Sequence, residues 1–325
     1  MTAKSAGLAM DQSAHGFSSK ANTRQRIAVI GAGAIGSIFA DAASGAGHDV
    51  TLCVRRPLAR IAVERHGVVS VPQLTITANP DAVVPVDWVF LATKTQDTAG
   101  AAPWFDRLIG ADTKVVLLQN GIDGVAVARP VVGAVPILPS IVYIAAERRA
   151  AGRVVHYFGD HIEVPAGALA AGLAETLAGR IAVKPEADFT TAAWRKLICN
   201  AAVNPITALT MRRLGVIARP AVRDLAFGLI REAAAVANAD GASLSSKNVS
   251  DICDYCAHLT PQGGTSMLYD RLRGNSLEYE HLTGTVVRLA RRYAIPVPLN
   301  AAILALVSAL DPAGAAGTGA ARAAE

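Results

Sequence analysis

Residues 26–30 read RIAVI, a short β-branched run, and Gly31-Ala32-Gly33-Ala34-Ile35-Gly36 follows at once. Residues 35–46 then carry a helical pattern that stops near Gly47, and 49–54 (DVTLCV) form the next apolar run. A strand, a glycine turn, a helix and a second strand within about 30 residues is the setting that makes G-x-G-x-x-G informative. Gly31 permits the tight turn, Gly33 lets backbone approach a pyrophosphate, and Gly36 lets helix and strand pack closely. Ala34, Ile35 and Gly36 open a helix whose N–H groups and positive dipole end would face the phosphates. The unit predicts a dinucleotide site.

The alternation continues. Residues 86–93 (VDWVFLAT), 114–118 (KVVLL) and 136–145 are near-continuous apolar runs, as expected of parallel strands covered on both faces. Residues 152–165 alternate around a turn and read as a hairpin. From Asp188 the period becomes helical, with candidates at 189–210, 221–240, 276–294 and 299–310. The fold class is therefore α/β: an N-terminal Rossmann-type doubly wound sheet over 24–185, then an all-helical C-terminal domain over 186–310. The Ser/Ala/Gly-rich stretch 1–23 reads as a disordered extension and 311–325 as a disordered tail.

Composition excludes several classes. Of 325 residues 52% are hydrophobic and the net charge is +5, so the chain is not intrinsically disordered, and no basic run argues for nucleic acid. No apolar run is long enough for a membrane span, and the N-terminus lacks the apolar core of a secretory signal. Four cysteines in a chain this long fit a reducing, cytoplasmic setting rather than a disulfide scaffold. Cys253 and Cys256 form a C-x-x-C, but no second ligand pair accompanies it, so they read as two half-buried helical cysteines and no metal site is expected.

The end of the second strand bears on the choice of dinucleotide. An acid about 20 residues past the glycines would hold the adenine ribose of NAD. Arg55 and Arg56 stand there instead, and a guanidinium suits the 2′-phosphate of NADP(H). In an Arg-rich chain they could also be solvated loop residues. Two polar residues mark strand ends where ligands gather: Lys94 after VDWVFLAT and Asn120, of an Asn-Gly turn, after KVVLLQ.

The segment WRKLICNAAVNP places Lys196, Asn200 and Asn204 four apart, on one face of a helix whose intervening residues are apolar. A buried lysine has its pKa lowered and can serve as a general acid, with amides holding a carboxylate or hydroxyl. The same stripe could simply pack on the other domain. Ser266 and Glu278 lie in TSMLYDRLRGNSLEYE, where each also has a capping explanation, Glu278 through an Asn275-x-x-Glu278 box.

These residues together carry a likeness. Over roughly residues 25–310 the chain resembles the ketopantoate reductases (2-dehydropantoate 2-reductases), through GAGAIG, Arg55, Lys94, Asn120-Gly121, WRKLICNAAVNPITAL and SMLYDRLRGNSLEYE. The resemblance implies an NADP-dependent oxidoreductase that reduces ketopantoate to pantoate in pantothenate and coenzyme A biosynthesis. It implies that Lys196 is the general acid and that Asn200, Asn204 and Ser266 contact substrate. It gives Glu278 the reacting hydroxyl and places Asn120 near both nicotinamide and substrate, with Lys94 beside the cofactor. Some family members carry a further substrate asparagine ten positions after the second helical one, and here that position is Leu214. A different 2-keto acid is therefore the alternative substrate, and a non-catalytic NADPH-binding protein a third reading. The small-molecule keto acid is the partner implied; an apolar helical domain permits a homodimer without requiring one.

Overall fold

The computed structural model describes residues 23–310. The expectations for the two tails lie, Thr23 apart, outside the described residues. The first unit is β1 (Arg26–Ile30), α1 (Ala34–Gly45) and β2 (Asp49–Cys53). A six-stranded sheet grows from it, adding β5 (Thr75–Thr77), β6 (Trp88–Leu91), β7 (Lys114–Leu117) and β8 (Ile137–Pro139) in the order β5-β2-β1-β6-β7-β8. Every pairing in it is parallel.

Alternation along the strands sorts their side chains into two cores. Ile27, Val29, Trp88, Phe90 and Val116 face α1. Ala28, Ile30, Val89, Leu91 and Val115 face the opposite layer, with Trp104, Phe105 and Leu108 of α2 (Ala102–Leu108) and Val132 of α3 (Gly124–Val132). Burial on both faces explains why these strands read as continuous apolar runs.

A second sheet was not read from the sequence. It comprises β3 (Ala62–Arg65), β4 (Val68–Ser70), β9 (Ile141–Ala150), β10 (Arg153–Pro165) and β11 (Ala182–Glu186). Its Val63, Val154, Ile162 and Val164 join the α1 core, together with Leu173 and Leu177 of α4 (Ala168–Leu177). Two expectations are corrected here. The run 136–145 is split between β8 in one sheet and β9 in the other. The hairpin is formed by β9 and β10, with its turn before Arg153; 152–165 does not fold back on itself. Gly159, the apparent turn signal, sits at an irregularity inside β10 with φ +82°. A Cβ there would lie 2.0 Å from the Tyr143 carbonyl oxygen, so only glycine fits this bulge.

The C-terminal domain is helical: α5 (Phe189–Thr210), α6 (Pro220–Ala239), α7 (Ser246–Ala257), α8 (Ser266–Leu272), α9 (Thr283–Arg292) and α10 (Pro298–Ser308). α5 runs through its centre and buries Trp194, Leu197, Ile198, Ala201 and Val203. Its apolar residues face in all directions, as in a helix wrapped by others. The Trp194 indole N–H donates to Asp240 at 3.1 Å, and the Tyr293 hydroxyl donates to the same carboxylate at 2.7 Å. α5 continues through Pro205. No described helix is long and apolar enough to cross a membrane.

Three local expectations differ from the structure. The helix expected over 276–294 begins only at Thr283, so Asn275-x-x-Glu278 is no capping box. The reason is tertiary. Glu278 spends its carboxylate on the other domain, and the Asn275 amide donates to Asp270 at 3.2 Å. Thr265, not Ser266, caps α8, accepting from the Leu268 N–H at 3.1 Å; Ser266 is the first helical residue. Cys253 and Cys256 do lie on a helix, but both are buried rather than half-buried.

Candidate active site

Gly31, at the end of β1, has φ +108°, and its N–H donates to the Cys53 carbonyl at 3.0 Å. A Cβ on Gly36 would lie 1.9 Å from the Gly31 carbonyl oxygen, so any side chain there forces turn and helix apart. Gly33 is the N-cap of α1 and makes no side-chain cap, while a Cβ there would meet only the Ala92 oxygen, at 3.9 Å. The N–H groups of the first turn, with Ala34 and Ile35, are therefore left without a capping side chain below open backbone. That cradle fits a dinucleotide pyrophosphate. Arg55 is exposed beyond β2, its guanidinium 4.0 Å from Asp97.

The carboxyl ends of β6 and β7 meet the helical domain. Lys94 is the N-cap of a 3-10 helix at Thr95–Ala101. Its ammonium is held across the domain boundary, 2.7 Å from Asp270 and 2.5 Å from the Ser276 carbonyl. Next to it, the Thr95 backbone N–H donates to Glu278 at 3.3 Å and the Thr95 hydroxyl donates to the Asn120 carbonyl at 3.0 Å. The Asn120 amide reaches Glu278 at 3.5 Å, a weak contact. Burial pushes the Glu278 carboxyl above its ordinary range, although the Lys94 cation and the Thr95 N–H pull it back.

Lys196, Asn200, Asn120 and Gly121 line one small pocket, of about 20 Å³, with Gln119, Ser140, Ile141 and Val142. It lies where α5 meets the ends of β7 and β8. Burial lowers the Lys196 ammonium from its usual range; Cys199, Glu163 and Cys256 oppose that shift. A larger cavity, about 320 Å³, lies among β3, β4, β9 and β10; it is lined by none of these residues, its charged groups being Glu64, Arg149 and Arg153.

Two expected residues stand apart. Asn204 is buried one turn further along α5 and does not line the pocket; Ser266 is exposed at the start of α8. Other residues were missed. Gln119 is buried beside Asn120, its amide N–H donating to Thr93 and Thr98, and its position at the end of β7 was the available signal. Asp270, Tyr143 and Glu163 gave none, because their partners are distant in sequence. Among the described residues no cluster suits a metal ion, and the cysteines are unbridged, with Cys256 Sγ 3.0 Å from Cys199 Sγ.

A glycine cradle at a helix N-terminus, facing a cleft that gathers a lysine, amides and a buried carboxyl, defines an oxidoreductase of the nicotinamide-dinucleotide-dependent class. Comparison with known proteins narrows this. Residues 27–168 match the family described as ketopantoate reductase PanE/ApbA, and residues 188–311 match its C-terminal part. A 2-dehydropantoate 2-reductase of Caulobacter vibrioides is 35% identical over 286 residues, 87% of this chain and 98% of that protein. A solved PanE/ApbA family ketopantoate reductase from Ralstonia eutropha is 28% identical with a TM-score of 0.82, over 89% of this chain and 99% of that one. A dimeric ketopantoate reductase from Staphylococcus aureus is 25% identical with a TM-score of 0.80, with the same coverage. The chain belongs to the ketopantoate reductase family.

Proposed function

We propose that this protein reduces ketopantoate to pantoate with NADPH, supplying the pantothenate and coenzyme A route. The observation that carries the reading is the shared pocket of Lys196, Asn200 and Asn120 at the carboxyl ends of the strands, within one interdomain network with Glu278. The names of the Caulobacter and Ralstonia relatives support the substrate.

Gly31, Gly33, Ala34, Ile35 and Gly36 would hold the cofactor's pyrophosphate and Arg55 its 2′-phosphate, and the family resemblance adds Lys94 and Asn120 to the cofactor-binding set. The position after β2 carries Arg55 rather than an acid, and its exposed guanidinium has only a 4.0 Å contact with Asp97 to give up; both favour NADPH over NADH. NADPH, when bound, would supply the hydride for the carbonyl carbon.

This chain's residues do the rest. Lys196 draws electron density to the C2 oxygen and donates a proton to it as negative charge builds. Its lowered pKa brings the proton closer to neutral exchange. Glu278 bonds the reacting hydroxyl, and Asn120 and Asn200 orient the substrate at attack distance. The family resemblance gives Asn204 and Ser266 substrate contacts, although neither lines this pocket. The relative described as dimeric supports a homodimer.

Leu214 favours a second reading, reduction of another branched 2-keto acid. It packs at the edge of the helical core, its N–H donating to the Gly263 carbonyl at 2.9 Å, and offers no polar group to a substrate. A panel of 2-keto acids followed by NADPH oxidation tests the proposal. Ketopantoate should give the highest kcat/KM; a tenfold preference for another acid would establish the second reading.

A further inference from the structure

Lys196 rests on an aromatic face. Its Nζ lies 4.7 Å from the centroid of the Tyr143 ring, which belongs to β9 of the other domain. The ring is itself fixed from two sides. It stacks on His161, its register partner on β10, with centroids 4.9 Å apart and planes at 17°. Its hydroxyl end faces Glu163, two residues further along β10, whose charge adds to burial in pushing the phenol above its usual range.

We propose that Tyr143 is a positioning residue for Lys196. Its ring face holds the ammonium, in charged form, at the edge of the pocket until substrate draws it to the carbonyl oxygen, and His161 and Glu163 hold the ring. A ring quadrupole attracts a cation without accepting its proton, so such a platform keeps the acid protonated and still lets it leave. Hydrogen-bonding to a carboxylate would hold it more tightly. The groups facing the ammonium are Tyr143 and Glu163 from the hairpin, Cys199 from its own helix and Cys256 from α7. Burial works against its charge, and a ring face beneath the ammonium works for it. The catalytic consequence rests on Lys196 being the proton donor; the contact itself does not.

The experiment therefore reads the ammonium directly. Lysine NMR on full-length protein is tractable with only seven lysines, Lys196 being assigned by its loss in Lys196→Arg. Tyr143→Leu should lower the titration midpoint of Lys196 by about half to one pH unit. Tyr143→Phe should leave it within about 0.2 unit, because the ring remains. Where Leu prevents folding, Tyr143→Met removes the ring at similar bulk. In turnover, the alkaline limb of kcat should move down with the midpoint, while KM for NADPH stays within about twofold. An unmoved midpoint in the ring-free variants, or an equal shift in Tyr143→Phe, overturns the proposal. A midpoint that moves while the kcat limb stays fixed upholds the platform and removes Lys196 as the proton donor.

Discussion

The carboxylate of Glu278, from the helical domain, accepts a hydrogen bond from the backbone N–H of Thr95, in the sheet domain, at 3.3 Å. Each belongs to a segment that the other orders. Glu278 is held in the irregular stretch before α9, and Thr95 opens the 3-10 helix after β6. With Lys94 bound to Asp270 and Ser276, this contact brings the cofactor half and the substrate half together along one seam.

That seam has a stability consequence. Burial holds the Glu278 carboxyl above its ordinary range. The folded protein then keeps a proton that the unfolded chain releases near pH 4.3, so stability falls as pH rises from there toward the raised folded value. Glu278→Gln removes this loss. The variant should melt no lower than the parent at pH 8, with any advantage narrowing below about pH 4.3, and should lose turnover. Thermal melts across that range check it; a variant less stable than the parent at pH 8 alone would contradict the assignment.

Arg55 is predicted to discriminate between cofactors. A charge-assisted hydrogen bond to phosphate is worth about 1.5–3 kcal/mol, roughly 10- to 100-fold. Arg55→Ala should raise KM for NADPH by about that factor and barely change KM for NADH. Equal effects on both would remove the 2′-phosphate from its role.

Gly36 has no room for a methyl group. With a Cβ 1.9 Å from the Gly31 oxygen, Gly36→Ala must shift either the turn or α1. The expected result is at least tenfold weaker NADPH binding by fluorescence titration, with the helical domain intact by circular dichroism. Unchanged affinity would mean that the cradle is not the pyrophosphate site.

Much of this was legible in the sequence because it is local. The β1–α1–β2 unit, the apolar strands at 88–91 and 114–117, and the helix 189–210 each carry their own period or turn chemistry. The four-residue spacing of Lys196 and Asn200 does the same for half of the pocket. What stayed hidden is what depends on distant partners. The second sheet joins residues 62–70 to 141–165 and 182–186, and short strands of mixed polarity do not advertise such pairings. The late start of α9 follows from contacts that Lys94 and Thr95 make with Ser276 and Glu278. Tyr143 meets Lys196 because β9 and β10 of the second sheet pack against α5, which no spacing in either segment foretells.

The central claim is that Lys196 gives its proton to the carbonyl oxygen of a 2-keto acid. The direct measurement is the single-turnover rate of NADPH oxidation by ketopantoate, compared between the parent protein and Lys196→Ala. A positioned acid contributes roughly 10²–10⁴-fold, so the variant should be slower by that factor while binding NADPH normally. A variant that oxidises NADPH at the parent rate would contradict the account.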